Sequence, residues 1–270
     1  TARRVGWLVP SSKLGIVVLV AGFGGLLWLV NRNEVDEERA TLIKDVLWLE
    51  QNLRFHLTGN EELLQQLAAD MTGPVDRHKL FRLRAGSLLK NNPELSQILW
   101  QDARREVRDA LPADAPPDSG IEAFGPPVTQ KAFELASKLG KRIYSEPFLT
   151  PGNQANFEMV VPIFDERTFA GVLVAVYPVD ALLNHLVPWW FAEKYQVLII
   201  DESDIQYGTK SKVQSVSSET YEIPLDPPGY GLKLKVTRYQ SSANPLQRIL
   251  AAAIVVLAIV VFWSLWSIRD

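Results

Sequence analysis

The sequence predicts an α+β fold: a long N-terminal helix, a central antiparallel sheet and a second, smaller sheet, all held between two transmembrane helices. Three observations predict it. Two uncharged apolar runs, Leu14 to Val30 and Ile249 to Ile268, stand near the two ends of the chain. Between them, the stretch FEMVVPIFDERTFAGVLVAVYPVDALL from Phe157 to Leu183 places two β-branched runs on either side of the polar tetrad Asp165-Glu166-Arg167-Thr168. That pattern is a β-hairpin apolar on both faces, so it belongs at the centre of a sheet covered above and below. After residue 195, three more strand-like segments are too few for a large core and sufficient for a small sheet.

Composition narrows the function classes. With 270 residues and 47% hydrophobic content the chain can fill one large or two small cores, and its net charge of -3, with basic residues scattered, argues against a nucleic-acid partner. Cysteine is absent, which removes disulfides, thiolate metal sites and cysteine nucleophiles together.

In chain order, residues 14–31 read as a first transmembrane helix, since a run of this length at 1.5 Å per residue crosses a bilayer of about 30 Å with its flanks. Arg3, Arg4 and Lys13 precede it, and Glu34, Asp36, Glu37 and Glu38 follow it. This bias leaves residues 1–13 as a cytoplasmic tail and sends residues 32–248 outside the cell membrane. Residues 32–75 read as polar signalling helices. Leu42, Val46, Leu49, Leu53 and His56 recur at heptad-like spacing, Thr58-Gly59-Asn60 interrupts the first helix with Asn60 capping the next, and Gly73-Pro74 ends that one. The stripe predicts a parallel homodimer with these helices at its seam. A further helix runs from about Asp76 to Asn91. Then Gln97 to Gln101 is a short strand, Asp102-Ala103 a turn, and a second polar strand follows. Pro112 to Pro127 is a loop rich in proline, glycine and aspartate, and Val128 to Leu139 is a helix closed by Gly140 as a left-handed C-cap. Beyond the hairpin, Asp180 caps a short helix, Pro188-Trp189-Trp190-Phe191 forms an aromatic joint, and residues 245–268 contain the second span, with Trp263 and Trp266 at its interface.

The order of helix, NPEL, short strand, acidic turn and second strand, followed by LGKRIYSEPF, FEMVVPIF and FAGVLVAVYPVDALL, resembles the Cache domain, the extracytoplasmic relative of PAS. The resemblance covers about residues 36 to 190. It implies a membrane-distal Cache or PAS-like domain at 76–190 and a smaller, degenerate Cache-like domain at 191–244. It also implies a place in the bacterial inner membrane and a role as the periplasmic sensor of a receptor, most like those of two-component sensor histidine kinases. Sensors of diguanylate cyclases and chemoreceptors share the layout, and a membrane-tethered binding protein without signalling is the alternative. An output domain is expected beyond Asp270, and a stop codon there would favour the tether.

No phosphate-cradling glycine loop, HExxH or GxSxG motif is present, so no catalytic residue is assigned, and neither a cofactor nor a metal is expected. The expected partners are the lipid bilayer and a small molecule bound between the central sheet and the cover of residues 112–147. Alternation and position nominate Trp100, Arg104, Tyr144, Ser145, Phe157, Met159 and Tyr177 for that site. The arginine and aromatic motif of amino-acid-binding Cache domains is not found, and Val176 stands where their aspartate would align. The arginine and tyrosine cluster of C4-dicarboxylate sensors is not found either.

Overall fold

The computed structural model describes residues 8–73, 76–113, 127–212, 216–239 and 253–254; before position 37, side-chain surroundings are described only at 22, 24, 25 and 32. Residues 44–239 form one compact unit, and 1–43 with 240–270 form another.

Helix α1 (Leu8–Asp70) is continuous. Leu42, Val46, Leu49, Leu53 and Leu57 are at most 2% exposed in the single chain, and Leu64 and Leu67 extend the buried stripe. The spacing does mark one helix face, but that face is covered within the chain, so it is not a seam between two copies. The expected break at Thr58-Gly59-Asn60 does not occur. A helical glycine costs about 1 kcal/mol, and burial of Leu57 and Leu64 around it outweighs that at about 2 kcal/mol each. Asn60, expected as a cap, sits mid-helix, where its Nδ2 donates to Glu94 Oε1 at 2.9 Å.

Helix α2 (Arg77–Asn91) starts where expected, with the Asp76 carboxylate accepting from the Lys79 N–H at 3.1 Å. Strands β1 (Gln97–Asp102) and β2 (Val107–Leu111) form a hairpin, and α3 (Pro127–Leu139) ends at Gly140 with φ +62°. Strands β3 (Ile143–Tyr144), β4 (Phe148–Leu149), β5 (Ala155–Asp165) and β6 (Thr168–Pro178) complete an antiparallel sheet of order β2-β1-β6-β5-β3, with β4 also on β5. The central hairpin is the expected one: Asp165 pairs with Thr168, and Glu166 takes φ +55° in the two-residue turn between them.

Helix α4 (Val179–Leu186) follows at once. Its N-cap is Pro178, and Asp180, expected as the cap, lies inside the first turn, where its charge favours the helix dipole. After α5 (Trp189–Lys194), strands β7 (Tyr195–Ile200), β8 (Gln206–Lys210), β9 (Val216–Pro224) and β10 (Lys233–Tyr239) form a second antiparallel sheet of order β8-β7-β10-β9. Helix α1 is tied to this region by Asn52 Nδ2 donating to Leu186 O at 3.1 Å and Tyr195 Oη donating to Asp45 Oδ2 at 2.9 Å.

Among the described residues no helix is long and apolar enough to cross a membrane. The expected span at 14–31 lies within α1 but its side chains are almost all outside the described set, and nearly all of the expected span at 245–268 lies outside it.

Candidate functional site

Strands β5 and β6 give the first sheet two chemically different faces. In their register Phe157 stands opposite Tyr177, Glu158 opposite Val176, Met159 opposite Ala175 and Val160 opposite Val174. Alternation sends these pairs to opposite sides. One face packs on α3, where Leu99, Val160, Val172, Val174 and Val176 form a core with Ala132, Phe133 and Ala136. The other face meets α1 and α2.

This division separates most of the expected ligand residues from the expected cover. Phe157, Met159 and Tyr177 are fully buried core on the α1 side, with the Phe157 and Tyr177 rings stacked at 5.1 Å. Tyr144 is on the same face, its ring 6.0 Å from Phe157 and its hydroxyl beside Glu61. Trp100 packs on α2, 5.0 Å from the His78 ring and 6.4 Å from Phe81. Burial drives the phenols of Tyr144 and Tyr177 far above their ordinary ionisation range, so both are neutral packing groups. Arg104 is exposed, and only its backbone N–H is engaged, by Asp102 Oδ1 at 2.8 Å. Ser145 is a backbone clamp: its Oγ accepts from Glu158 N–H at 2.8 Å and donates to Glu146 O at 3.0 Å. Of the expected cover, residues 114–126 lie outside the described set, and α3 lies on the face opposite the aromatic residues.

Two residues not nominated from sequence carry the chemistry of the α3 face. The first is Arg105. Asp102 Oδ1 accepts from the N–H groups of Arg104 and Glu106, and Arg105 adopts φ +64° at the tip of the β1–β2 turn. These backbone bonds, with the Arg108 guanidinium, outweigh burial and hold the Asp102 carboxyl below its usual range, so the turn keeps its anchor. The turn brings the Arg105 guanidinium 5.5 Å from the centre of the Phe133 ring, with Nη2 donating to Thr129 Oγ1 at 3.4 Å. Its Nε is buried without a partner. The second is Glu158, which is 5% exposed. Burial raises its carboxyl to about 8, partly offset by the charge of Arg105. Each of these groups feels the other, yet among the described residues no ion pair joins them. A partly buried guanidinium, held by Thr129 and Phe133 with its Nε unpartnered, and a carboxyl that is protonated at neutral pH therefore face the α3 side, one able to hold an anionic or acceptor group and the other able to donate to one.

Glu158 had a sequence signal, being the one charged residue in the apolar run Phe157 to Phe164. Arg105 had none that separates it from Arg104, because only the positive φ decides which of the two turns inward.

No family model matches the chain. It is 28% identical over 242 residues to the C4-dicarboxylate transport sensor protein DctS of Rhodobacter capsulatus, covering 89% of this chain and 34% of that protein. The chain thus spans about a third of that relative's length. Among solved structures, the ligand-binding domain of the amino acid chemoreceptor PctC of Pseudomonas aeruginosa, in complex with GABA, aligns with a TM-score of 0.52 at 16% identity, covering 75% of this chain and 99% of that one. The ligand-binding domain of the Pseudomonas fluorescens chemoreceptor CtaA, in complex with L-alanine, aligns with a TM-score of 0.50 at 13% identity, covering 76% and 98%. The fold is that of these ligand-binding domains, the Cache-like fold that the sequence resemblance implies. Within that Cache fold, Arg105 and Glu158 lie on the sheet face that α3 covers.

Proposed function

We propose that this Cache region binds a small molecule outside the cytoplasm, beneath α3, and passes the event to an output domain of the sensor histidine kinase type. The observation that carries the site is the pair Arg105 and Glu158, two ionisable groups that form no ion pair among the described residues, on one face of an otherwise apolar sheet. Arg105 receives an anionic or acceptor group of the ligand, with Phe133 and Phe169, whose rings are 5.7 Å apart, as the apolar wall. The C4-dicarboxylate sensor kinship supports the kinase output and a carboxylate among the ligand's groups. The apolar runs at 14–31 and 245–268 serve as spans of the inner membrane, with residues 32–248 periplasmic, the distal domain at 76–190 and the proximal one at 191–244.

The chain acts as a parallel homodimer, and its pairing uses the α1 face opposite the buried stripe. Trp48 and Phe55 stand there one heptad apart, and Phe55 is 75% exposed.

The test is thermal-shift screening of the whole chain in detergent against small carboxylates and amino acids, with Arg105→Ala and Glu158→Gln in parallel. A compound that raises the melting temperature of the parent and of neither variant supports the site. Equal stabilisation of all three proteins places the ligand elsewhere.

A further inference from the structure

Three consecutive residues, Tyr144, Ser145 and Glu146, touch the strand that carries Glu158, the helix that covers it and the second sheet. Ser145 Oγ accepts from the Glu158 N–H and the Ser145 N–H donates to Glu158 O, both at 2.8 Å, which fixes the segment to β5. The Glu146 carboxylate holds Lys131 of α3, with Nζ 2.6 Å from Oε1. Strand β3 is the edge of the first sheet, and since Ser145 turns its backbone groups to β5, alternation turns those of Tyr144 to the open side. The carbonyl left there is met from the second sheet. Tyr230, in the loop between β9 and β10, donates its Oη to Tyr144 O at 2.6 Å.

The loop is built to hold that hydroxyl out. Gly229, Tyr230 and Gly231 take φ of +79°, +55° and +74° in succession. A bulky L residue rarely adopts such a φ and keeps it only where its surroundings enforce it. Here the loop closes on itself: Leu225 N–H donates to Leu232 O at 2.9 Å, and Gly229 N–H to Leu225 O and Leu232 N–H to Gly229 O at 3.0 Å each. Leu225 and Leu232 are buried beneath it, and a Cβ on Gly231 would lie 3.0 Å from Glu202 Cγ in the β7–β8 turn. The loop is therefore a stiff projection of the second sheet, and β10 begins at the next residue, Lys233. Tyr230 itself is 46% exposed, so its hydrogen bond, and not a surrounding core, joins the two sheets at this point.

We propose that Tyr230 is the residue through which a movement of α3 on the ligand reaches β10. Lys131 carries the movement to Glu146, the Tyr144 carbonyl shifts with it, and the loop passes the displacement to β10, which ends at Tyr239 just before the segment that holds the second expected span. This rests on the reading that the ligand lies beneath α3, but its test uses no ligand. Hydrogen exchange of the whole chain in detergent is followed by mass spectrometry on peptides covering 225–239, in Lys131→Met, Tyr230→Phe and the double variant. Lys131→Met should speed exchange there about twofold or more, the scale set by a half-exposed ion pair. In the Tyr230→Phe background it should add nothing. The charge swap Lys131→Glu with Glu146→Lys should restore the parent's rates, which a purely local role of Lys131 in α3 would not. Should Lys131→Met unfold α3, Glu146→Gln breaks the same contact from the other side. Unchanged exchange at 225–239 when the pair is broken overturns the proposal, as does an increase that persists in full in Tyr230→Phe. Failure here removes the link alone, whereas failure of the ligand screen bears on Arg105 and Glu158 alone.

Discussion

Phe157 and Tyr177 are cross-strand partners whose rings stack 5.1 Å apart with 6° between their planes. The next residues along the same two strands, Glu158 and Val176, are also partners, and they face the other way. A movement of β5 or β6 that accommodates a ligand on Glu158 is therefore a movement of the ring pair packed on α1.

The ring pair should be worth far more than its hydroxyl. Phe157→Ala is expected to cost about 3 to 5 kcal/mol. Tyr177→Phe is expected to change stability by no more than about 1 kcal/mol, since it keeps the stacked ring and removes only the hydroxyl. Thermal and denaturant unfolding of the two variants checks this; comparable losses would contradict it.

Glu158 should give stability a pH slope of defined sign. Its carboxyl is raised from 4.5 to about 8 by burial, so between those values the folded chain holds a proton that the unfolded chain has released. Stability from this group is fully present below about 4.5 and is lost as pH rises through about 8, by up to about 1.4 kcal/mol per pH unit. Glu158→Gln should gain on the parent steadily from pH 5 to pH 8 and run parallel to it above that. Melting curves across this range that stay parallel throughout would remove the buried acid from the account.

Gly171 should tolerate no side chain. It sits at φ +146° in β6, and a Cβ there would lie 2.1 Å from Gln101 O and 2.9 Å from Asp102 Cα. Neither neighbour can move without parting β1 from β6. Gly171→Ala is expected to lose on the order of 4 kcal/mol or to fail to fold, which circular dichroism on heating measures.

The two faces of α1 should respond differently to cysteine. Phe55→Cys and Trp48→Cys in membranes are expected to crosslink two copies, and Leu49→Cys, at a fully buried position, is not. Crosslinking at Leu49 with none at Phe55 would return the seam to the buried stripe.

The sequence by itself determined most of the elements, though not the continuity of α1 through Gly59. Two β-branched runs around Asp165 to Thr168 could only be a hairpin, Asp76 before Arg77 could only open α2, and Gly140 closes α3 because a left-handed residue is needed there. These are local signals, set by periodicity, turn chemistry and caps within a few residues. Tertiary structure alone decided what each face of the sheet meets. Alternation separates Phe157 from Glu158, but it cannot say that α3 covers the glutamate and α1 the phenylalanine. The turn geometry, not the composition, chose Arg105 over Arg104. Asn60 carries the signature of a cap, and it became part of a buried network because its partner, Glu94, lies 34 residues away. A side chain's role is fixed by the neighbours that desolvate it, and in this chain those neighbours are distant in sequence.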